Sequence, residues 1–250
     1  YGGMGLNAYG GCVISAANGE LHCWGSESLV DSAPSGRFRQ LNGSDLYSCG
    51  LDPDGFVSCF GNVPEANGIS PYRDPPTISL KQVTVTDTLA CGITQWDELT
   101  CWGLDMTSVS AGYGYWQSGF DGMPSGTFEV IDGGVPICAI SGSGELVCWG
   151  YQSEYLLLPS LPEGIAGSYW VDVSVAGLVA CALSDQGAIL CDGWSDYGVE
   201  SEEPPISGFS SVSVNDYAGC ALHQTGNITC WGYNAIANEV YFWYQHNKDG

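Results

Sequence analysis

The segment CALHQTGNITCWG, residues 220–232, sets two cysteines ten positions apart around a glycine-containing turn and ends in Trp-Gly. Five further versions of this segment occur earlier in the chain, and they begin at Cys12, Cys49, Cys91, Cys138 and Cys181. The six versions use all twelve cysteines, and their first cysteines lie 37, 42, 47, 43 and 39 residues apart. Such a regular period predicts a repeat protein in which each repeat is one structural unit.

Each repeat is predicted to form three short β-strands. The residues before the first cysteine follow the alternating pattern FxxVxV, as in residues 209–214, 170–175 and 80–85. The two cysteines mark a second and a third strand, with Gly, Asn or Asp at the turn between them. Units of three or four strands, with no helical pattern between them, cannot bury both faces alone but can do so when arranged radially. The sequence therefore predicts an all-β fold, a single β-propeller domain over residues 1–250.

The predicted propeller has six blades of about 40 residues, over residues 1–37, 38–79, 80–127, 128–169, 170–208 and 209–250. The residues after Cys230 and before Cys12 together number 31, within the range of 25 to 36 that separates successive cysteine pairs. A six-bladed ring that closes on itself fits these lengths. A seven-bladed ring with one blade outside this chain is the alternative.

The cysteine pattern predicts one disulfide in each blade. Zinc ligands usually occur as closely spaced CxxC or Cys/His clusters, whereas these pairs are ten or eleven residues apart and the three histidines follow no ligand pattern. Cysteines on either side of a short hairpin turn fall opposite each other at bridging distance. The expected disulfides are Cys12–Cys23, Cys49–Cys59, Cys91–Cys101, Cys138–Cys148, Cys181–Cys191 and Cys220–Cys230. Twelve paired cysteines indicate an oxidising, extracellular compartment.

The charge balance excludes several classes of partner. The chain has 28 acidic and 5 basic residues, for a net charge of -23. It cannot offer the cationic surface that nucleic acids require, and anionic lipids would repel it. Whether the acidic surface collects divalent cations stays open. The missing initiator Met and leader predict a mature chain or a fragment whose targeting segment is absent.

The repeated pattern FxxVxVxxxxxxCALxxxGxxxCWG resembles the regulator-of-chromosome-condensation superfamily of β-propellers, over the whole chain. The paired cysteines are similar to those of its secreted, disulfide-paired members, such as Crinkly-type receptor ectodomains and secreted bacterial propellers, and β-lactamase-inhibitory protein II belongs to the same superfamily. The resemblance implies the fold rather than a function, because propellers host many unrelated functions. This sequence departs from the pattern where the CWG tryptophan becomes Phe60 and Asp192. It also has six repeats where the superfamily usually has seven blades.

The tryptophans that follow the second cysteines are predicted to pack between blades. They are Trp24, Trp102, Trp149 and Trp231.

No enzymatic activity, catalytic residue, metal site or cofactor is expected. The sequence contains no GxSxG, HExxH or P-loop spacing, and disulfide bonding leaves no cysteine nucleophile. Two sequons predict N-glycans on Asn42 and Asn227. The aromatic residues Tyr113, Tyr115, Trp116 and Phe120 form a candidate ligand-binding loop in the longest insertion, with inward packing as the alternative.

The tail EVYFWYQH, residues 239–246, has strong β character. We expect it to pair as an outer strand of a terminal blade, and donation of the strand to another molecule is the alternative.

These observations predict a secreted, non-enzymatic β-propeller that recognises a protein or glycan partner. The alternative is a structural protomer of an extracellular glycoprotein assembly or filament, formed by self-association. Neither hypothesis requires nucleic acid or direct membrane binding.

Overall fold

The computed structural model describes residues 4–7, 10–44, 47–62, 75–86, 89–103, 122–134, 136–150, 168–193, 207–215 and 217–232. Within these ranges the chain forms six antiparallel sheets of three strands each. Each sheet is one blade, and its strands pair in chain order as first, middle and third strand. The predicted three-strand repeat is confirmed in all six copies.

The blades occupy successive stretches of the chain. They contain β1 (Met4–Asn7), β2 (Gly10–Ile14) and β3 (Leu21–Gly25) in blade 1; β4 (Gln40–Gly43), β5 (Tyr47–Leu51) and β6 (Val57–Gly61) in blade 2; β7 (Leu80–Val85), β8 (Leu89–Thr94) and β9 (Leu99–Gly103) in blade 3; β10 (Phe128–Gly133), β11 (Ile137–Ser141) and β12 (Leu146–Trp149) in blade 4; β13 (Trp170–Ala176), β14 (Val179–Ser184) and β15 (Ile189–Gly193) in blade 5; and β16 (Phe209–Val214), β17 (Ala218–His223) and β18 (Ile228–Gly232) in blade 6.

One disulfide joins the middle and third strands of every blade, with the pairing that the spacing predicts. The bridges are Cys12–Cys23, Cys49–Cys59, Cys91–Cys101, Cys138–Cys148, Cys181–Cys191 and Cys220–Cys230. Each pair occupies directly opposed positions in the strand register, with Cα atoms 4.0–4.1 Å apart. Antiparallel strands approach most closely at such directly opposed, non-hydrogen-bonded pairs, and this places the two sulfurs within bonding reach.

Consecutive blades pack face to face, and we call each packed interface a seam. The described core divides into five clusters, one for each seam from blades 1 and 2 to blades 5 and 6. In the last seam Leu183 and the Cys181–Cys191 disulfide of blade 5 meet Phe209 and Trp231 of blade 6. The other seams repeat this arrangement, except that Asp192 replaces the tryptophan in the seam between blades 4 and 5. The hydrophobic core therefore lies between the sheets rather than within any one of them.

The first strands of successive blades are linked by polar side chains. Gln40 accepts from the backbone N–H of Val83 at 3.0 Å and donates to its carbonyl at 3.1 Å, as a neighbouring strand would. Asn42 of the same blade makes a second contact of this kind, and one acceptor in each of blades 3 to 5 repeats it with the first strand of the following blade. These bonds are Val85 N–H to Asn42 Oδ1, Ile131 N–H to Gln82 Oε1, Val175 N–H to Asp132 Oδ2 and Val214 N–H to Ser174 Oγ, at 2.9–3.1 Å.

The sequence pattern missed one element, the helix α1 (Glu27–Ser32) between blades 1 and 2. Six residues are too few to show a helical period. Leu29 is buried in the first seam, and Ser32 Oγ accepts a hydrogen bond of 2.8 Å from the N–H of Gly61. The helix therefore packs against blade 2.

Candidate recognition surface

The hairpin turns between middle and third strands all lie at one edge of the blades. We call this edge the turn face, and in the six blades it comprises residues 15–20, 52–56, 94–98, 141–145, 184–188 and 223–227. The turn residue at the fourth position has a positive φ in blades 2 to 6, and in blade 3 that residue is Asp97 rather than glycine. The turns are thus short and rigidly shaped, so residues beside them hold fixed positions.

Three exposed aromatic side chains lie at the turn face. Phe56 and Trp96 belong to the turns of blades 2 and 3, and Tyr169 precedes the first strand of blade 5 beside two turns. Trp96 is the most exposed, at 68% of its full accessible area. Large aromatic side chains held in solvent are the residue type that anchors protein interfaces.

Local hydrogen bonds fix the backbone of each aromatic residue. The N–H of Phe56 donates to Asp52 Oδ1 at 2.8 Å, and the N–H of Trp96 donates to Thr94 Oγ1 at 3.2 Å. The N–H of Tyr169 donates to Asp185 Oδ1 at 3.3 Å. Because these hydrogen bonds already order the turns, binding a partner loses less conformational entropy there.

The sequence pointed to a different set of aromatics. Tyr113, Tyr115, Trp116 and Phe120 lie outside the described residues, so that candidate loop stays a prediction. Phe56 and Trp96 were missed because they stand alone in short turns, where a single aromatic gives no pattern. The available signal was an aromatic residue at a turn position where the repeats of blades 2 to 6 otherwise have Asp, Ser, Gln or Thr, in the case of Trp96, and Glu, Ala or Asn, in the case of Phe56.

The two sequon asparagines have different surroundings. Asn227 is exposed at the turn face of blade 6, where its Nδ2 donates to Thr225 Oγ1 at 3.2 Å. Asn42 lies on the first strand of blade 2, and its side chain is half-buried against blade 3 through the bond from Val85. Glycosylation of both residues stays a prediction, with Asn227 in the more accessible place.

Two carboxylates lie between the first strands. Burial raises the pKa of Asp132 from 3.8 to about 6, against the opposing effect of hydrogen bonds from Val175, Gly133 and Thr84. Burial likewise raises the pKa of Asp172, which accepts a hydrogen bond from the N–H of Val212. Because these bonds occupy the carboxylate oxygens, both residues serve to join blades.

The described ranges contain neither a metal-binding cluster nor a membrane-spanning helix. No group of three or more His, Cys, Asp or Glu side chains is placed to hold a metal ion there. Helices in that part of the chain include none long and apolar enough to cross a membrane.

The structure corrects the prediction for one of the four CWG tryptophans. Trp102, Trp149 and Trp231 are buried in seams, as predicted, and Phe60 fills the corresponding place in blade 2. Trp24 is instead 48% exposed. Each buried ring packs against the blade that precedes it, and blade 1 has no preceding blade in the described chain.

Comparison with known proteins supports the fold. No protein-family model matches the chain. The Crinkly ectodomain of the Arabidopsis thaliana receptor kinase ACR4 superposes with a TM-score of 0.69 at 20% identity, over 94% of this chain and 82% of that one. The entire ectodomain of the Physcomitrella patens receptor kinase CR4 gives 0.71 at 21%, over 94% of this chain and 64% of that one.

A third similar structure comes from a different class of protein. Prp20p of Saccharomyces cerevisiae, described with its binding to Gsp1p and histones, gives a TM-score of 0.69 at 15% identity, over 92% of this chain and 71% of that one. At these identities the likeness concerns the fold alone. The chain therefore has the β-propeller fold of the Crinkly ectodomains and of the regulator-of-chromosome-condensation proteins, with a disulfide in each of the six blades that the structure describes.

Proposed function

We propose that this chain is a secreted recognition module that binds a protein partner through its turn face and performs no chemistry of its own. The observation that carries the proposal is the exposure of Phe56, Trp96 and Tyr169 on hydrogen-bonded turns. Six disulfides suit an oxidising compartment, and the Crinkly ectodomains that share the fold belong to receptor kinases.

The distribution of these aromatics favours a protein over a glycan. They stand on separate blades, which suits anchors spread across a broad contact, whereas sugar binding uses an aromatic platform close to several polar groups. The net charge of -23 favours a partner with a basic surface, because opposite potentials accelerate encounter.

A panel of extracellular proteins from the native source, together with a glycan array, tests this proposal. The wild-type chain should bind a protein, and Trp96→Ala should weaken that binding at least about tenfold, as loss of an anchor residue does. Tyr217→Ala is the matched control, since Tyr217 is an exposed aromatic at the opposite edge of blade 6. Equal loss with both variants, or binding to glycans alone, would contradict the proposal.

A second candidate function is that of a structural protomer in an extracellular assembly. The observation that favours it is the uncovered apolar surface on the first and last blades, where Trp24, Leu222 and Ile228 are exposed.

A further inference from the structure

Blade 6 exposes a residue whose counterpart is buried in every preceding blade. The hydrophobic residue two positions after the first cysteine is buried in blades 1 to 5, as Ile14, Leu51, Ile93, Ile140 and Leu183. In blade 6 the same position is Leu222, which is 41% exposed. Ile228, at the start of the third strand, is 60% exposed, whereas Ile189 of blade 5 is only 5% exposed. The face of blade 6 that points away from blade 5 is therefore one half of a seam whose other half is absent from the described residues.

Within the described ranges, the turn of blade 6 also lacks the contact with a following blade that the other turns make. In the preceding blades the carbonyl of the corresponding turn residue accepts a hydrogen bond from the first residue of the next blade. These pairs are Gly19–Phe38, Gly55–Leu80, Asp97–Phe128, Gly144–Trp170 and Gly187–Phe209. A Cβ atom on Gly55, Gly144 or Gly187 would lie 2.2–2.7 Å from the segment that enters the next blade. A Cβ atom on Gly226 would meet nothing within 4 Å.

Blade 1 carries the complementary half of a seam. In the last seam Trp231 packs with Leu183 and Ile189 of the blade before it. Trp24 occupies the equivalent position in blade 1 and is exposed. Among the described residues, blade 6 thus presents an uncovered Leu/Ile face, and blade 1 presents the kind of tryptophan that covers such a face in the seams before blades 3, 4 and 6.

The strands that form these two faces carry no acidic side chains. The six strands of blades 1 and 6 contain no Asp or Glu, although the chain has 28 acidic residues. The first strand of blade 6 also offers polar side chains to a following blade, because Ser211 and Ser213 are exposed on β16. They occupy the positions from which Asp172 and Ser174 accept hydrogen bonds from blade 6.

We propose that a second copy of this chain supplies the other half, so that blade 6 of one copy packs against blade 1 of the next in a sixth, intermolecular seam. Within the described part of one chain, β16 and β1 make no contact of the extent that joins the other successive first strands. The interface is head-to-tail, so it propagates into a ring of copies or a filament. This inference rests on the second candidate function and is independent of recognition by the turn face.

The test uses two single-face variants of the full, oxidised chain. Trp24→Asp blocks the blade 1 face and should be tolerated, because Asp192 occupies that position in blade 5. Leu222→Asp blocks the blade 6 face. Val171→Asp is the control, since Val171 is exposed at a position where blades 3 and 4 have Lys81 and Glu129. Each protein is examined by sedimentation velocity over a range of concentrations, and its thermal melt confirms folding.

The wild-type chain and the control should associate as concentration rises, and each blocked variant should stay monomeric. Mixing the two blocked variants should restore one functional seam and produce dimers only. A wild-type chain that is monomeric at every concentration overturns assembly itself. If both blocked variants still associate, the chain assembles through another surface and the proposed seam is wrong. The proposed seam is also wrong if the two folded variants form no dimer when mixed.

Discussion

The Oδ2 atom of Asp132 in blade 4 accepts a hydrogen bond of 2.9 Å from the backbone N–H of Val175 in blade 5. A side chain therefore completes the backbone bonding of the neighbouring blade, in the place where a sheet would use another strand. Because burial raises the pKa of Asp132, this join is sensitive to protonation.

Stability should decrease as pH rises from about 4 to about 6. The pKa of Asp132 is raised from 3.8 to about 6 by burial, so in this window the unfolded chain loses a proton that the folded chain retains. A shift of this size corresponds to about 2–3 kcal/mol, fully present below pH 4 and lost as pH passes 6. Asp132→Asn should flatten the dependence in denaturant titrations, while Asp54→Asn, at an exposed turn, should retain it. Equal slopes in all three proteins would contradict this assignment.

Gly219→Val should destabilise blade 6. The side chain of Trp231 covers Gly219 so closely that a Cβ atom there would lie 2.3 Å from the indole carbon Cζ2. Displacing the ring disturbs the last seam, at a cost of about 1–3 kcal/mol as in other overpacked cores. Ser213→Val, at an exposed position of the same blade, should change the free energy of unfolding much less. Equal effects of the two substitutions would show that the contact with Trp231 does not matter.

Removing a buried disulfide should cost more than removing the one in blade 6. Both Cys181–Cys191 and Cys220–Cys230 span ten residues, so loop-closure entropy gives each about 2–3 kcal/mol. Cys181 and Cys191 are buried in a seam, whereas Cys220 is half-buried at the uncovered face. Replacing each pair by serines and comparing chemical denaturation measures the difference, and equal losses would show that burial adds nothing.

Asn227 should carry an N-glycan at higher occupancy than Asn42 when the chain is isolated from its native source. The side chain of Asn227 is exposed at a turn, whereas that of Asn42 accepts the 2.9 Å bond from Val85 within a seam. Glycopeptide mass spectrometry measures both occupancies. Two unmodified asparagines, or a fully occupied Asn42 beside a bare Asn227, would refute the prediction.

Deleting residues 239–250 should lower the melting temperature of the monomer, if this segment pairs as an outer strand of a terminal blade. An outer strand lies at the edge of a blade, so the deletion should leave the Leu222 face free to bind a second copy. The alternative role, donation of the strand to another molecule, predicts an unchanged melt with loss of assembly. Thermal melting and sedimentation of the shortened chain distinguish the two.

The sequence alone determined the repeating unit, because its signals are local. Cysteine spacing, alternating hydrophobic residues and turn glycines specify hairpins within about ten residues. For that reason the register of Cys220 opposite Cys230, and of its five counterparts, could be predicted. The helix α1 escaped prediction because its stability comes from burying Leu29 against another repeat rather than from its own pattern.

The tertiary structure decided which surface each residue faces. Trp24 and Trp231 occur in the same CWG motif, yet one is exposed and the other buried, because within the described chain only the second packs against a preceding blade. The same holds for Leu222 and Leu183, and for Asp132, whose pKa is raised by burial although the N–H of Val175, 43 residues away, donates a hydrogen bond to it. A repeat specifies its own strands through near neighbours, whereas burial and electrostatics depend on how many blades stand on either side.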